Sequence, residues 1–307
     1  MTQTYGFEIE CFGLTPSEIQ TAVNSVGGRV KMAVPRGHGE YSIEGTMDRI
    51  FGYGESKQLR TRDSRSNEGS IWIAASDSSI TNTANRGTSH EIISPILYGQ
   101  EGLDEMKKVV KALSRAGAQV NKTCGVHVHL GLDHYSRVRR FSVAKKNRMI
   151  HRIADLYSHF QRGIDLLVPQ SRRNNANSYC YRIAGNQMHY NNHEMYETSA
   201  FRFGRGVLNA GNYTTNGTIE FRQHSGSLNG SKLETWAKLL SKIVGWAINE
   251  NHPNHFRTFP FPTVTSTGSN ALLLAMCDYL NIEPAHKRKL LNRAVELGAV
   301  FAAVEVN

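Results

Sequence analysis

The sequence predicts an α+β protein, and three observations carry that prediction. Segments 4–12, 124–132 and 217–224 alternate apolar and polar residues with the period of a strand. Segments 101–116, 143–168 and 232–248 repeat their apolar residues at three and four, the period of a helix. A chain of 307 residues with 39% hydrophobic and 20% charged residues can bury a sizeable core, which excludes a wholly disordered or coiled-coil protein.

Taken in order, TYGFEIECF (4–12) reads as a strand. Residues 35–70, with PRGHGEY, GYGES and RTRDSRSNEGS, mix Gly, Ser and Arg without apolar periodicity and are expected to form a mobile flap. IWIAASDSSI holds a strand-like run ending near Asp77, whose simplest reading is a solvated turn residue, and SHEIISPIL places Glu91 ahead of an apolar run closed by Pro95. The helix at 101–116 gathers Leu103, Met106, Val109, Val110 and Leu113 on one face, and the strand CGVHVHLGL (124–132) follows. Ile150, Ile153, Leu156, Tyr157, Phe160, Ile164 and Leu167 mark one long helix over 143–168, with Pro169 as its stop. An irregular stretch rich in Asn and Arg (170–217) separates it from the strand GTIEFRQH. The helix at 232–248 then turns Leu233, Trp236, Leu239, Leu240, Ile243, Val244 and Ala247 inward. Two further helices are expected at 269–281 and 285–302, after a proline-containing connection at 252–268 that is expected to be ordered. The domain expectation is one catalytic-size domain over 1–250, carrying the flap, with 251–307 as a helical extension packed on it.

Chemistry concentrates in three of the strands. Glu8 and Glu10, His127 and His129, and Glu220 and Arg222 each stand two apart within an apolar run. Alternation puts each pair on one face while Phe7, Ile9, Val126, Val128, Ile219 and Phe221 take the other. Taken singly, a Glu-x-Glu pair reads as a solvated strand face and a His-x-His pair as exposed histidines; the three pairs together are better explained by one polar site. Several carboxylates on a sheet face need partners or a metal, and an oxygen-rich set with an imidazole suits Mg²⁺ or Mn²⁺ better than zinc.

Net charge is +10, from 36 Lys and Arg against 26 Asp and Glu. That excess favours anionic company, either nucleic acid or a phosphorylated ligand, although it also serves solubility alone. No Walker loop or dinucleotide fingerprint is present: the stretch from Gly226 to Lys232 is one residue short between its glycines, and Gly204-Arg-Gly206 is followed by Asn209 where a third glycine belongs. Cys11, Cys124, Cys180 and Cys277 are too scattered for a disulfide framework or a zinc knuckle, so reduced thiols are expected, Cys11 as a small core residue. Without a signal-peptide pattern or an apolar run near the roughly 18 residues of a membrane span, a cytoplasmic protein is expected.

The order GFEIE, HEIISPIL, CGVHVHLGL, SRRNNANSYC and GTIEFRQHSGSLN, from about residue 5 to 250, resembles the amidoligase family, relatives of glutamine synthetase and glutamate–cysteine ligase. The resemblance implies a curved, mainly antiparallel sheet of the glutamine-synthetase type with helices on its outer face. It implies an ATP-dependent carboxylate–amine ligase that forms an amide or peptide bond through an acyl phosphate, with ATP and Mg²⁺ or Mn²⁺ as cofactors. By motif position Glu8, Glu10, Glu91, His127 and Glu220 resemble the metal ligands, with His127 also touching ATP. Arg222 resembles the arginine that neutralises the transferred phosphoryl group, and His129 a residue for phosphate or substrate. Arg202, Arg205 and Asn209 resemble phosphate- or carboxylate-binding residues, and Arg172 and Arg173 open a segment the family carries before a Tyr. His224 and Ser225 belong to the late-strand motif without an assigned role.

The substrates expected are a small-molecule or peptide carboxylate and an amine. Two other readings compete. A metal-dependent hydrolase would share the His and carboxylates but need no ATP. An inactive ligase-like shell could bind nucleic acid or an acidic macromolecule through the +10 charge, with Arg60, Arg62 and Arg65 of the flap as contacts.

Overall fold

The computed structural model describes residues 3–37, 40–43, 49–51, 71–132, 141–173, 180–183, 206–210, 213, 217–248 and 268–301. The chain divides into two compact units, Met1–Ser136 with Ala210–Glu234, and Arg137–Asn209 with Thr235–Asn307.

The first unit is built on a sheet. Its strands are β1 (Thr4–Leu14), β2 (Arg29–Gly37), β3 (Glu40–Ile43), β4 (Arg49–Phe51), β5 (Ile71–Ser76), β6 (Thr88–Ile93), β7 (Leu97–Tyr98), β8 (Gly125–Gly131) and, after the second unit's short β9 (Leu208–Asn209), β10 (Thr218–Ser225). They lie in the order β4-β3-β2-β5-β6-β1-β8-β10, with β7 also pairing with β1. Pairing is antiparallel except between β2 and β5. The result is a mixed α and β fold on a mostly antiparallel open sheet.

Alternation dictates which side of this sheet is dry. Phe7, Ile9 and Cys11 of β1, Val126, Val128 and Leu130 of β8, and Ile219 and Phe221 of β10 are each no more than 1% exposed. Burying a large apolar side chain this way contributes roughly 1.5–3 kcal/mol, so a register slip that turned the strands over would be strongly disfavoured. Helix α2 (Gly99–Ala116) packs against β1 and β7. It uses the stripe Leu103, Met106, Val109, Val110 and Leu113, all buried as their spacing requires. Helix α1 (Pro16–Asn24) packs on α2 and β2. Its start is a reciprocal cap, in which the Thr15 hydroxyl accepts from the Glu18 N–H and the Glu18 carboxylate accepts from the Thr15 N–H.

The 35–70 segment read as a flap supplies β3, β4 and the end of β2; its other residues, Arg60, Arg62 and Arg65 among them, lie outside the described residues. So does nearly all of 252–268.

The second unit is mainly helical among its described residues, with β9 as a short strand. Helix α3 (Val143–Ile164) starts at Ser142, whose hydroxyl accepts from the Lys145 N–H, and passes into a 3₁₀ turn at Asp165–Leu167 ahead of Pro169. The α-helical part is thus shorter than the 143–168 expected. Helix α4 (Gly230–Ile248) begins in the first unit and continues here, followed by α5 (Ser269–Tyr279) and α6 (Pro284–Glu296). Helix α5 packs on α3, and a Cβ placed on Gly163 would sit 2.6 Å from the backbone nitrogen of Leu273. Helix α6 ends earlier than the expected residue 302, because Gly298 turns the chain into the left-handed region at φ +94°. Among the described residues, no helix is long and apolar enough to cross a membrane.

Candidate functional site

The side of β6, β1, β8 and β10 away from the apolar residues brings together every described acidic and imidazole group singled out from the three paired motifs, and Glu91 as well. Register does this directly. Glu8 stands opposite His127, Glu10 opposite Glu91, and Glu220 opposite His129. Four separate pieces of chain thereby share one patch.

Glu8 is at its centre. Its Oε2 accepts from Nδ1 of His127 at 2.7 Å and its Oε1 from Nε2 of His129 at 3.0 Å. The Glu10 carboxylate accepts the Gly125 backbone N–H at 2.6 Å and lies 3.6 Å from Nε2 of His127. Glu220 and Glu91 each place an oxygen near Nδ1 of the same imidazole, at 3.5 and 4.0 Å. Arg222 pairs with Glu220, and its Nη1 is 3.5 Å from His127. Gly6 leaves space for this: a Cβ there would come within 3.2 Å of His129 Cβ, its cross-strand neighbour.

The electrostatics follow from crowding acids where water is scarce. Burial by itself raises the Glu8 carboxyl, but the charge of His129 and hydrogen bonds from both imidazoles outweigh it and hold the group well below the usual carboxylate range. Glu220 is lowered for the same kind of reason, with Arg222 and then His129 overcoming burial. Glu91 goes the other way: burial, then the charges of Glu8, Glu10 and Asp77, push it well above the normal range. Burial lowers His129, yet Glu8 and Glu220 outweigh it and the imidazole is raised. The Arg222 guanidinium, despite burial, is held charged by Glu220 and Glu8.

The donor set tests whether a metal fits. Ligand atoms of Glu8, Glu91 and His127 lie within 4.8 Å of one another, as do those of Glu8, His129 and Glu220. The patch offers four carboxyl groups and two imidazoles, with a single guanidinium beside them. Hard oxygen donors with a minority of imidazole suit Mg²⁺ or Mn²⁺. The residues present fit such an ion.

Of the other expected site residues, Arg202 and Arg205 lie outside the described residues, and buried Asn209 stands in β9 of the second unit. Arg172, also of the second unit, is buried at the end of a 3₁₀ turn. His224 is removed from the polar side by a β-bulge: the β10 register shifts between Phe221 and His224, so His224 aligns with Val126 of the apolar side and is 4% exposed. Its Nδ1 donates to the Ser225 carbonyl at 2.6 Å.

Two residues were undervalued in the sequence. Asp77 bears on Glu91 electrostatically, although it reads as a turn residue. Thr218 places its hydroxyl 3.3 Å from Nδ1 of His129. The signal for Thr218 was the same alternation that singled out Glu220 and Arg222, continued by one more step of two.

Comparison with known proteins adds three findings. A family model described as "putative amidoligase enzyme" matches residues 1–244. No curated protein matches. Among solved structures, a bifunctional glutathione synthetase from Pasteurella multocida is similar at a TM-score of 0.40 and 12% identity, over 96% of this chain and 47% of that one. The chain spans about half the length of that structure.

Proposed function

The chain belongs to the amidoligase family, and from that premise we propose that it is an ATP-dependent carboxylate–amine ligase acting through an acyl phosphate on a glutamine-synthetase-like sheet. One observation carries the reading: Glu8, Glu10, Glu91 and Glu220 converge with His127, His129 and Arg222 on one side of four antiparallel strands.

In this reaction a substrate carboxylate oxygen attacks the γ-phosphorus of ATP and ADP leaves. The amine then attacks the acyl carbon, phosphate departs and the amine gives up a proton. Phosphoryl transfer needs in-line positioning and positive charge around the moving group far more than it needs a protein nucleophile. Glu8, Glu10, Glu91, Glu220 and His127 would hold Mg²⁺ or Mn²⁺, which when bound neutralises phosphate charge. Arg222, oriented by Glu220, supplies a fixed cation for the transferred phosphoryl oxygens. His129, held by Glu8, offers a second donor to phosphate or substrate. Arg202, Arg205 and Asn209 are assigned to phosphate and carboxylate binding on the family resemblance. The acid is a small-molecule or peptide carboxylate.

The test is nucleotide turnover. Purified full-length protein is incubated with ATP, Mg²⁺ or Mn²⁺, and pools of amino acids and amines, following ADP, AMP, phosphate and pyrophosphate together. ADP and phosphate that rise with a particular acid and amine, and vanish in Glu220→Ala, support the reading. AMP and pyrophosphate would replace the acyl-phosphate route with an adenylate. Hydrolysis of an amide or ester without nucleotide would overturn the ligase.

A further inference from the structure

Away from the polar side of the sheet, α1 and α2 enclose a groove of about 740 Å³ within the first unit. Its walls differ in chemistry. One carries the hydroxyls of Ser17 and Thr21 of α1 and of Ser25 at its C-terminal cap, spaced at four, with the Ser25 hydroxyl donating to the Ala22 carbonyl. The other carries Lys108, Lys111 and Arg115 of α2, all exposed. Ala22 and Ala112 line the space between them, so the floor is small and apolar.

Charge in the groove is one-sided. Among the described residues no carboxylate pairs with Lys108, Lys111 or Arg115, whereas neighbouring Lys107 is engaged by Asp104 and Glu234. The acid lining the groove, Glu18, is engaged by Arg86 and by the Thr15 cap. The three cations are thus left to an outside anion.

Their spacing says what shape of anion. At 1.5 Å of rise per residue they are strung along about 10 Å of helix, with steps of roughly 4.5 and 6 Å, and do not converge on one point. That suits a linear array of negative groups better than a single phosphate. An extended peptide presents side chains on one side every 6.6 Å or so, within reach of flexible Lys and Arg stems, and its backbone offers partners for the facing hydroxyls. Single-stranded nucleic acid would want aromatic side chains for its bases, and among the described residues none lines the groove.

We propose that the α1/α2 groove is a docking site for an extended acidic peptide segment, separate from the carboxylate and imidazole cluster. The site is independent of the amide chemistry: it holds whether or not the chain turns over ATP. It would give the protein a grip on an acidic polypeptide at a distance from the polar side of the sheet.

The test uses the full-length protein and a fluorescein-labelled octaglutamate, followed by fluorescence anisotropy. Binding is expected at low salt and should weaken about tenfold or more when Lys108, Lys111 and Arg115 are all replaced by Ala, as three partly exposed ion pairs would dictate. Thr21→Trp, which keeps the cations and fills the groove, should weaken it too. Far-UV circular dichroism and melting of both variants confirm that they fold. Four outcomes would overturn the proposal: no octaglutamate binding, binding indifferent to the triple replacement, displacement by tripolyphosphate at equal charge, or tighter binding of an oligonucleotide of the same charge. A triple variant that melts earlier but binds as well would assign the cations to the C-terminal half of the α2 dipole instead.

Discussion

Glu8 and His127 face each other across β1 and β8, with the carboxylate Oε2 2.7 Å from the imidazole Nδ1, and the other oxygen of Glu8 reaches His129. One side chain thus fixes both members of the His-x-His pair. Glu8→Ala should release both rings and remove a donor common to both candidate metal groups. We expect turnover to fall by at least about 10²-fold, comparable with loss of one strong electrostatic contact in a site. A Mn²⁺-induced rise in melting temperature, present in the parent protein, should disappear. A variant that keeps the full Mn²⁺ shift would show that Glu8 holds histidines and not metal.

Arg222 is paired with Glu220 and stands beside His127, so its guanidinium is already oriented in the resting protein. Lysine preserves the charge but not the planar fork. Arg222→Lys should therefore lower kcat about 10²-fold while the KM for ATP changes much less, because the interaction strengthens as phosphoryl charge develops. Steady-state kinetics separates the two constants. Equal effects on both would make Arg222 a ground-state binding residue.

Protonation sets a further expectation, in the second unit. Burial lowers His151 to about 4 and also lowers His159 and His286. In each case the folded chain resists a proton that the unfolded chain accepts below its ordinary pKa of roughly 6.5. Between that value and about 4 the unfolded state binds more protons, so stability falls as pH drops through this window and is recovered above it. The urea midpoint should be lower at pH 5 than at pH 7, and His151→Gln should narrow the difference. An unchanged difference would place the acid sensitivity in other groups.

Much of the site was legible because strand alternation is a rigid rule. Once Glu8, Glu10, His127, His129, Glu220 and Arg222 are placed on strands, sharing a face follows from parity, and the register confirms their adjacency. His224 shows where parity fails, because a bulge inserts one residue and reverses the side, and nothing in FRQHS announces it. The division of the chain was not legible, since both units are assembled from separated stretches and hydropathy patterns carry no such long-range information. Helix α1 was overlooked although Thr15, Pro16 and Glu18 spell a capping box, its nine residues being too short for a strong apolar period. Strand β2 pairs with β5 in parallel, an arrangement that local pattern does not distinguish from antiparallel pairing.

Two helical glycines should respond to the same substitution with opposite sign. Alanine in place of an interior helical glycine ordinarily stabilises by up to about 1 kcal/mol through backbone entropy and propensity. Gly245 in α4 has open space where a Cβ would go, so Gly245→Ala should raise the melting temperature. Gly163 near the end of α3 has none: its Cβ would sit 2.6 Å from Leu273 nitrogen and 2.9 Å from Leu272 carbonyl carbon. Those are backbone atoms of α5 and cannot swing aside as a side-chain tip would. Separating the helices costs about 1–3 kcal/mol, typical of overpacking, which exceeds the propensity gain. Gly163→Ala should therefore lower the melting temperature while Gly245→Ala raises it, both read by calorimetry on the full chain. A gain in both would mean that α3 and α5 are packed less closely than the 2.6 Å approach requires.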